Sequence, residues 1–187
     1  MDPIFPMGRK HAISFSKEMI RRGLNDKVVW LSELRTDVVD RESLVWLRRS
    51  GCRRLVFGIE SGVDELLADV NKQNTVQQSR ETIRHCREVG ITTVGLFMIG
   101  LPGESPEQTQ ETIEYACSLD LDFAKFAITV PFPGSELFEQ MPTAQTCYQF
   151  LWTAPNNHSS TTCPRCRKPL VLSVCLVGGG RVLLSRI

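Results

Sequence analysis

Residues 55–72 read Leu-Val-Phe-Gly-Ile-Glu-Ser-Gly-Val-Asp-Glu-Leu-Leu-Ala-Asp-Val-Asn-Lys, and the fold follows from how they are parsed. The run from Leu55 is short, apolar and rich in β-formers, which predicts a buried strand. It closes on Gly58, Glu60, Ser61 and Gly62, small and polar residues where a strand gives way to a helix. Ser61 followed by Asp64 fits an N-cap signature and predicts a helix opening there. A carboxylate at the C-terminal end of a buried strand, just before a helix, stands where parallel α/β folds place their sites. Glu60 therefore has two readings: a ligand-facing carboxylate, or a charge that complements the positive end of the next helix.

The same alternation extends both ways. Upstream, residues 9–22 predict a helix stopped by Gly23, and 28–34 a strand ending in the polar cluster Glu33, Arg35 and Asp37. Asp40 reads as the N-cap of a helix through Ser50, with Val39 and Leu44 at hydrophobic-staple positions. Downstream, Thr75 opens a longer helix closed by Gly90, and residues 91–99 form an apolar strand leading into Gly-Leu-Pro-Gly-Glu at 100–104. Ser105, Pro106 and Gln108 supply cap, first-turn proline and box partner for a helix ending near Leu119, before a last strand at 123–130. Short apolar strands alternating with one-sided helices predict parallel strands joined by right-handed crossovers, whose polar strand ends gather on one rim.

Composition sets outer limits. An apolar share of 42% with 23% charged residues is that of an ordinary globular chain, and the net charge of +1 offers no argument for nucleic acid or an anionic membrane. The charge is unevenly placed: 17 basic and 21 acidic residues lie at or before Gln140, and five basic and no acidic residues after it. No secretory leader or bilayer-length apolar run is visible, and the seven cysteines fit no disulfide framework, so the expected setting is cytoplasmic. After Gln140 the alternation is lost, and residues 141–187 are read as an irregular tail of uncertain structure, an unrelated or frame-shifted segment. Cys163 and Cys166 form a C-x-x-C pair there; with Cys147 and Cys175 they lack the second paired spacing of a zinc knuckle.

Four motifs in order, Phe-Gly-Ile-Glu-Ser-Gly, Val-Asn-Lys, Met-Ile-Gly-Leu-Pro-Gly-Glu and Val-Pro-Phe-Pro-Gly-Ser-Glu, resemble the middle of a radical S-adenosylmethionine enzyme core. The flavour is that of the branch with upstream cobalamin-binding domains, together with methylthiotransferases and coproporphyrinogen-oxidase-like enzymes. The residues Asp2 to Phe5 and Glu33 to Asp37 resemble two further strand ends, and the likeness spans residues 1–140.

The resemblance implies a partial TIM-type (β/α) barrel with S-adenosylmethionine and a [4Fe–4S] cluster at its rim. Reductive cleavage of the sulfonium there yields a 5′-deoxyadenosyl radical. It also implies an electron donor, a small-molecule or macromolecular substrate that the motifs do not name, and in some relatives cobalamin held by an upstream domain. By position, Glu33, Arg35, Glu60, Ser61, Lys72, Gly95 and Gly100 are the implied cofactor-binding residues. Glu33 would meet the nucleoside or amino group and Lys72 the methionine carboxylate. Lys72 also reads as a solvated helix-end cation, Gly95 as a glycine needed inside a crowded barrel, and Glu104 as a helix N-terminal charge.

The family's C-x-x-x-C-x-x-C triplet is absent, and the likeness begins at the strand after the loop that carries it. The expectation is an N-terminally truncated fragment, inactive alone, with no metal ligand and no catalytic residue of its own assigned. Two other functions compete: a metal-independent α/β-barrel lyase or isomerase using Glu33 or Glu60 as base, and a non-catalytic binding module. Against the lyase, His11, His85 and His158 all fall in helices or tail.

Overall fold

The computed structural model describes residues 5–70, 72, 74–129, 173–177 and 181–185, the last two segments by their backbone. The sequence readings at Asp2, at Pro131 to Glu136, at the 140/141 boundary and at the C-x-x-C pair lie outside those residues.

The elements in chain order are α1 (Arg9–Arg21), β1 (Trp30–Leu34), a 3-10 turn (Thr36–Val38), α2 (Arg41–Arg49), β2 (Cys52–Glu60), α3 (Asp64–Asp69), α4 (Val76–Val89), β3 (Thr92–Ile99), α5 (Pro106–Ser118), β4 (Phe123–Ile128), β5 (Ser173–Val177) and β6 (Arg181–Ser185). The sheet runs in that same order, β1 to β6. Strands β1 to β4 are mutually parallel, and β5 and β6 add antiparallel. Parallel neighbours in sequence order with intervening helices are the arrangement of a partial (β/α) barrel.

Local chemistry sets the helix ends. Asp40 with Ser43, Thr75 with Gln78, and Ser105 with Gln108 each form a reciprocal capping box at the start of α2, α4 and α5. At the other end of α4, Gly90 adopts the left-handed conformation (φ +76°) that closes a helix without a Cβ clash.

Helices α1, α2, α4 and α5 cover one face of the sheet. Leu34, Leu55, Phe57, Ile59, Phe97, Ala124 and Phe126 from the strands meet Ala12, Leu44, Leu47, Ile83, Cys86, Tyr115 and Ala116 from the helices in one buried cluster. Phe97 and Phe126 stack at 5.0 Å between ring centroids. Complete burial of a side chain such as Phe57 contributes about 1.5–3 kcal/mol. Because strand side chains alternate, Leu31, Glu33, Val56, Gly58, Val94, Leu96 and Met98 fall on the opposite face.

The structure departs from the sequence reading in two places. Ser61 is not the N-cap of α3: the helix opens after Val63, which makes no side-chain cap, and Ser61 is turned inward instead. The tail is not irregular throughout, since β5 and β6 join the sheet through β4. Without a strand partner in view, a short apolar run does not declare its secondary structure.

Candidate functional site

Four parallel strand ends meet at one edge of the sheet, and the end of β2 carries the concentrated chemistry. Register between β2 and β3 is regular up to Gly58, which pairs with Leu96, and then slips so that Glu60 pairs with Phe97. Such a bulge bends a strand and re-aims the side chain after it. Glu60 has φ +68°, and the N–H of Ser61 donates to the carbonyl of Ile59 at 3.0 Å. That bond closes a γ-turn around Glu60 with positive φ, the rarer and more strained form. Among the described residues Glu60 is the one non-glycine at positive φ.

The turn delivers the Glu60 carboxylate to Lys72, whose Nζ lies 2.8 Å from Oε1. Both side chains are mostly shielded, 16% exposed for Glu60 and 25% for Lys72. The Lys72 backbone is fixed by its own N–H donating to the Leu67 carbonyl at 2.9 Å, which wraps the chain back past the end of α3. Gly58 lies under the pair. A Cβ there would stand 2.9 Å from Oε1 of Glu60 and 3.3 Å from Nζ of Lys72.

Glu33, the penultimate residue of β1, lies on the same face of the sheet, paired in register with Val56. Its side chain is exposed, and among the described residues it joins neither Glu60 nor Lys72. Its backbone carbonyl accepts from Phe5 N–H at 3.1 Å, placing Phe5 beside the outer edge of β1. Arg35 forms a two-pronged pair with Asp37, at 2.9 and 2.7 Å, which braces the 3-10 turn and raises the arginine's pKa chiefly through the hydrogen bond.

Gly100 begins the loop after β3 at φ +80°. Leu101 to Glu104 form a turn closed by Glu104 N–H donating to the Leu101 carbonyl at 3.0 Å, with Pro102 and Gly103 (φ +75°) in the central positions of a type II turn. The carboxylate of Glu104 folds back on the loop. It accepts from Gly100 N–H, from Leu101 N–H at 2.8 Å and from the Thr109 hydroxyl at 3.0 Å. Glu104 is thus a clamp on the loop and more than a charge near the helix end.

Two of the implied ligand residues are turned away from that edge. A Cβ on Gly95 would point among Leu121, Phe97 and Ile59, the nearest atom 2.7 Å away, so this glycine is demanded by the helix-side core. Ser61 is fully buried, with Oγ 3.0 Å from Thr112 Oγ1 and accepting from Val63 N–H at 3.1 Å. Its hydroxyl serves the turn. Sequence reasoning passed over Gly58 and Thr112 as site-supporting residues. A small residue under an ion pair and a threonine on a distant helix carry no ligand signal by themselves, though Gly58 sits inside the Gly-Ile-Glu-Ser-Gly run.

The described residues do not fit an iron–sulfur cluster. Among them no group of three or more His, Cys, Asp or Glu is placed to hold a metal. Cys52 and Cys86 are buried, and burial pushes the Cys52 thiol up to about 12 and raises Cys86 as well, away from the thiolate form that iron requires. Among the described residues no histidine stands at a strand end: His11 and His85 lie within α1 and α4, and His158 lies outside the described residues. No described helix is long and apolar enough to cross a membrane.

Comparison with known proteins agrees with this architecture. The chain is 32% identical over 139 residues to an uncharacterised methyltransferase of Pyrococcus horikoshii, covering 74% of this chain and 30% of that protein. It is 37% identical over 137 residues to the anaerobic magnesium-protoporphyrin IX monomethyl ester cyclase of Cereibacter sphaeroides, covering 72% of this chain and 22% of the cyclase. The chain therefore spans less than a third of either relative. Among solved structures, the radical S-adenosylmethionine methyltransferase TsrM from Kitasatospora setae, with cobalamin and a [4Fe–4S] cluster bound, superposes with a TM-score of 0.65 at 25% identity, over 86% of this chain and 32% of TsrM. The coproporphyrinogen III oxidase HemN of Escherichia coli shares the fold, with a TM-score of 0.57 at 19% identity, over 76% of this chain and 38% of HemN. None of these relatives favours a metal-independent lyase or a bare binding module. Residues 7–116, more than half of the chain, match the radical SAM superfamily, and the chain belongs to that family.

Proposed function

We propose that the edge formed by the ends of β1, β2 and β3 is the S-adenosylmethionine-binding portion of a radical SAM enzyme, and that Glu60 and Lys72 receive the amino-acid end of the ligand. The observation that carries this reading is the 2.8 Å Lys72–Glu60 pair, held over a glycine by a strained turn at a strand's C-terminal end. The methionine moiety is a zwitterion. A cation and a carboxylate side by side match its carboxylate and ammonium with charge-assisted bonds. Glu33, on the same face, is positioned for the nucleoside, and the Gly100 backbone bounds the far side of the edge at the end of β3. Strain retained at a site is a common companion of function.

S-adenosylmethionine bound in such an enzyme is the source of the adenosyl radical. The chain's own residues bind and orient it, and none of them is assigned a proton transfer. The cluster, the donor that reduces it and the substrate engage parts of the protein beyond the described residues. The likeness to TsrM supports a cobalamin-using whole protein, and no side chain described here is assigned to cobalamin. The singly placed free cysteines among the described side chains, Cys52, Cys86 and Cys117, support a cytoplasmic setting.

Titration calorimetry with S-adenosylmethionine and with 5′-methylthioadenosine, which lacks the amino-acid end, tests the reading. Lys72→Met should weaken S-adenosylmethionine binding by about tenfold or more, the scale of a lost hydrogen bond to a charged group. The same variant should leave 5′-methylthioadenosine binding unchanged. A wild-type chain that binds neither compound at millimolar concentration, or a Lys72→Met chain that binds both as the wild type does, overturns it.

A further inference from the structure

Glu60 needs outside support. A non-glycine residue at φ +68° in a γ-turn lies in sparsely populated backbone space and stays there only where its surroundings over-determine it. The ion pair of Glu60 with Lys72 does not supply that support alone, because a single contact between the ends of two long side chains does not fix a backbone dihedral. The restraint comes from the next two residues. Ser61 Oγ lies 3.0 Å from Thr112 Oγ1, and Gly62 N–H donates to that same Thr112 oxygen at 3.1 Å. All three groups are buried. Gly62 makes the approach feasible: a Cβ on it would stand 2.7 Å from Tyr115 Cβ and 3.0 Å from Thr112 Cα. A threonine inside a helix ordinarily returns its hydroxyl to a carbonyl of the preceding turn. Thr112 instead spends it on the turn after β2.

We propose that Thr112, on α5, is a positioning residue for the Glu60–Lys72 pair: its hydroxyl pins Ser61 and Gly62 and so holds Glu60 in the conformation that presents its carboxylate. The proposal rests on the reading of that pair as the ligand's amino-acid subsite. Thr112 touches no ligand and acts through the backbone of residues 60–62. A merely structural threonine would lower stability when altered and would leave the geometry of the pair alone.

The test compares Thr112→Val, which keeps the shape and loses the hydroxyl, with Thr112→Ser, which keeps the hydroxyl. Thr112→Val should weaken S-adenosylmethionine binding about tenfold in calorimetry, Thr112→Ser should stay within about twofold of wild type, and 5′-methylthioadenosine binding should not change. In a Glu60→Ala background the Thr112→Val change should have less than about a twofold further effect, because the group it positions is gone. An equal loss in both backgrounds overturns the proposal. A second readout needs no ligand. The rate of reductive methylation of Lys72, mapped by mass spectrometry against exposed Lys27 as internal standard, should rise several-fold in Thr112→Val. An unchanged Lys72 rate in a folded Thr112→Val chain overturns the proposal even if S-adenosylmethionine proves not to bind, whereas a raised rate without binding leaves the positioning role standing and removes the ligand assignment.

Discussion

Gly58 leaves open the space that the carboxylate of Glu60 fills: a methyl group on Gly58 would sit 2.9 Å from Oε1 of Glu60, closer than carbon and oxygen tolerate without a shift. The same methyl would be 3.3 Å from Nζ of Lys72. Both neighbours are ends of long side chains, so the strand accommodates the substitution by displacing the pair and keeps its backbone. Gly58→Ala should therefore weaken S-adenosylmethionine binding by about tenfold, about 1.4 kcal/mol, with little change in thermal midpoint. Calorimetry and a melting curve on the same sample check this; unchanged affinity would mean that the pair is not where the ligand sits.

The loop after β3 depends on one carboxylate. Removing it in Glu104→Ala deprives Gly100 and Leu101 N–H and the Thr109 hydroxyl of their acceptor. The loop is partly open to water, so the expected loss is about 1–2 kcal/mol. Glu104→Gln, which retains an acceptor oxygen and an amide able to donate to Thr109, should lose less. Urea unfolding of the two variants distinguishes them, and equal midpoints would show that the clamp contributes nothing.

Alkaline titration reads the contact between α4 and α5. Tyr115 OH donates to the Val76 carbonyl at 2.6 Å, and burial is the main cause that pushes its pKa up to about 12. A phenol raised in the folded state favours the neutral form. Its contribution to stability is fully present below the unfolded pKa of about 10 and is lost as pH rises through the window between that value and about 12. The tyrosinate absorbance of Tyr115 should grow in late, together with a falling unfolding midpoint. Tyr115→Phe should abolish that part of the pH dependence.

Thiol labelling separates surface from core. Cys117 is exposed, whereas Cys52 and Cys86 are buried with raised pKa values, so at pH 8 Cys117 should be alkylated under native conditions and the other two only after denaturant is added. Peptide mapping after a short pulse of iodoacetamide reports this directly. Native labelling of Cys86 as fast as Cys117 would contradict the described core.

Much of the framework was legible because its signals are local. The caps at Asp40, Thr75 and Ser105 and the stops at Gly23 and Gly90 lie within four residues of the ends they set, and the structure has helices beginning and ending there. Ser61 misled because its neighbours match a cap pattern, while the hydroxyl found a better partner on α5, 51 residues away in sequence. Glu60 was singled out by its place at the end of a buried strand, and Lys72 through resemblance. Nothing in local chemistry requires residues twelve apart, across a short helix, to meet. Gly95 and Gly100 look alike in sequence, yet one answers to side chains crowding from the helix layer and the other to a left-handed backbone in an open loop. Strands β5 and β6 were missed because pairing with β4 is a long-range event that an apolar run of that length does not announce.

The three reciprocal boxes at the heads of α2, α4 and α5 have a bearing on how the chain is made. Each is complete within four consecutive residues, so the point at which a helix starts is written into local sequence and does not depend on the strand that lies against it. A slip in strand alignment during assembly therefore leaves each of these three helices starting at the same residue.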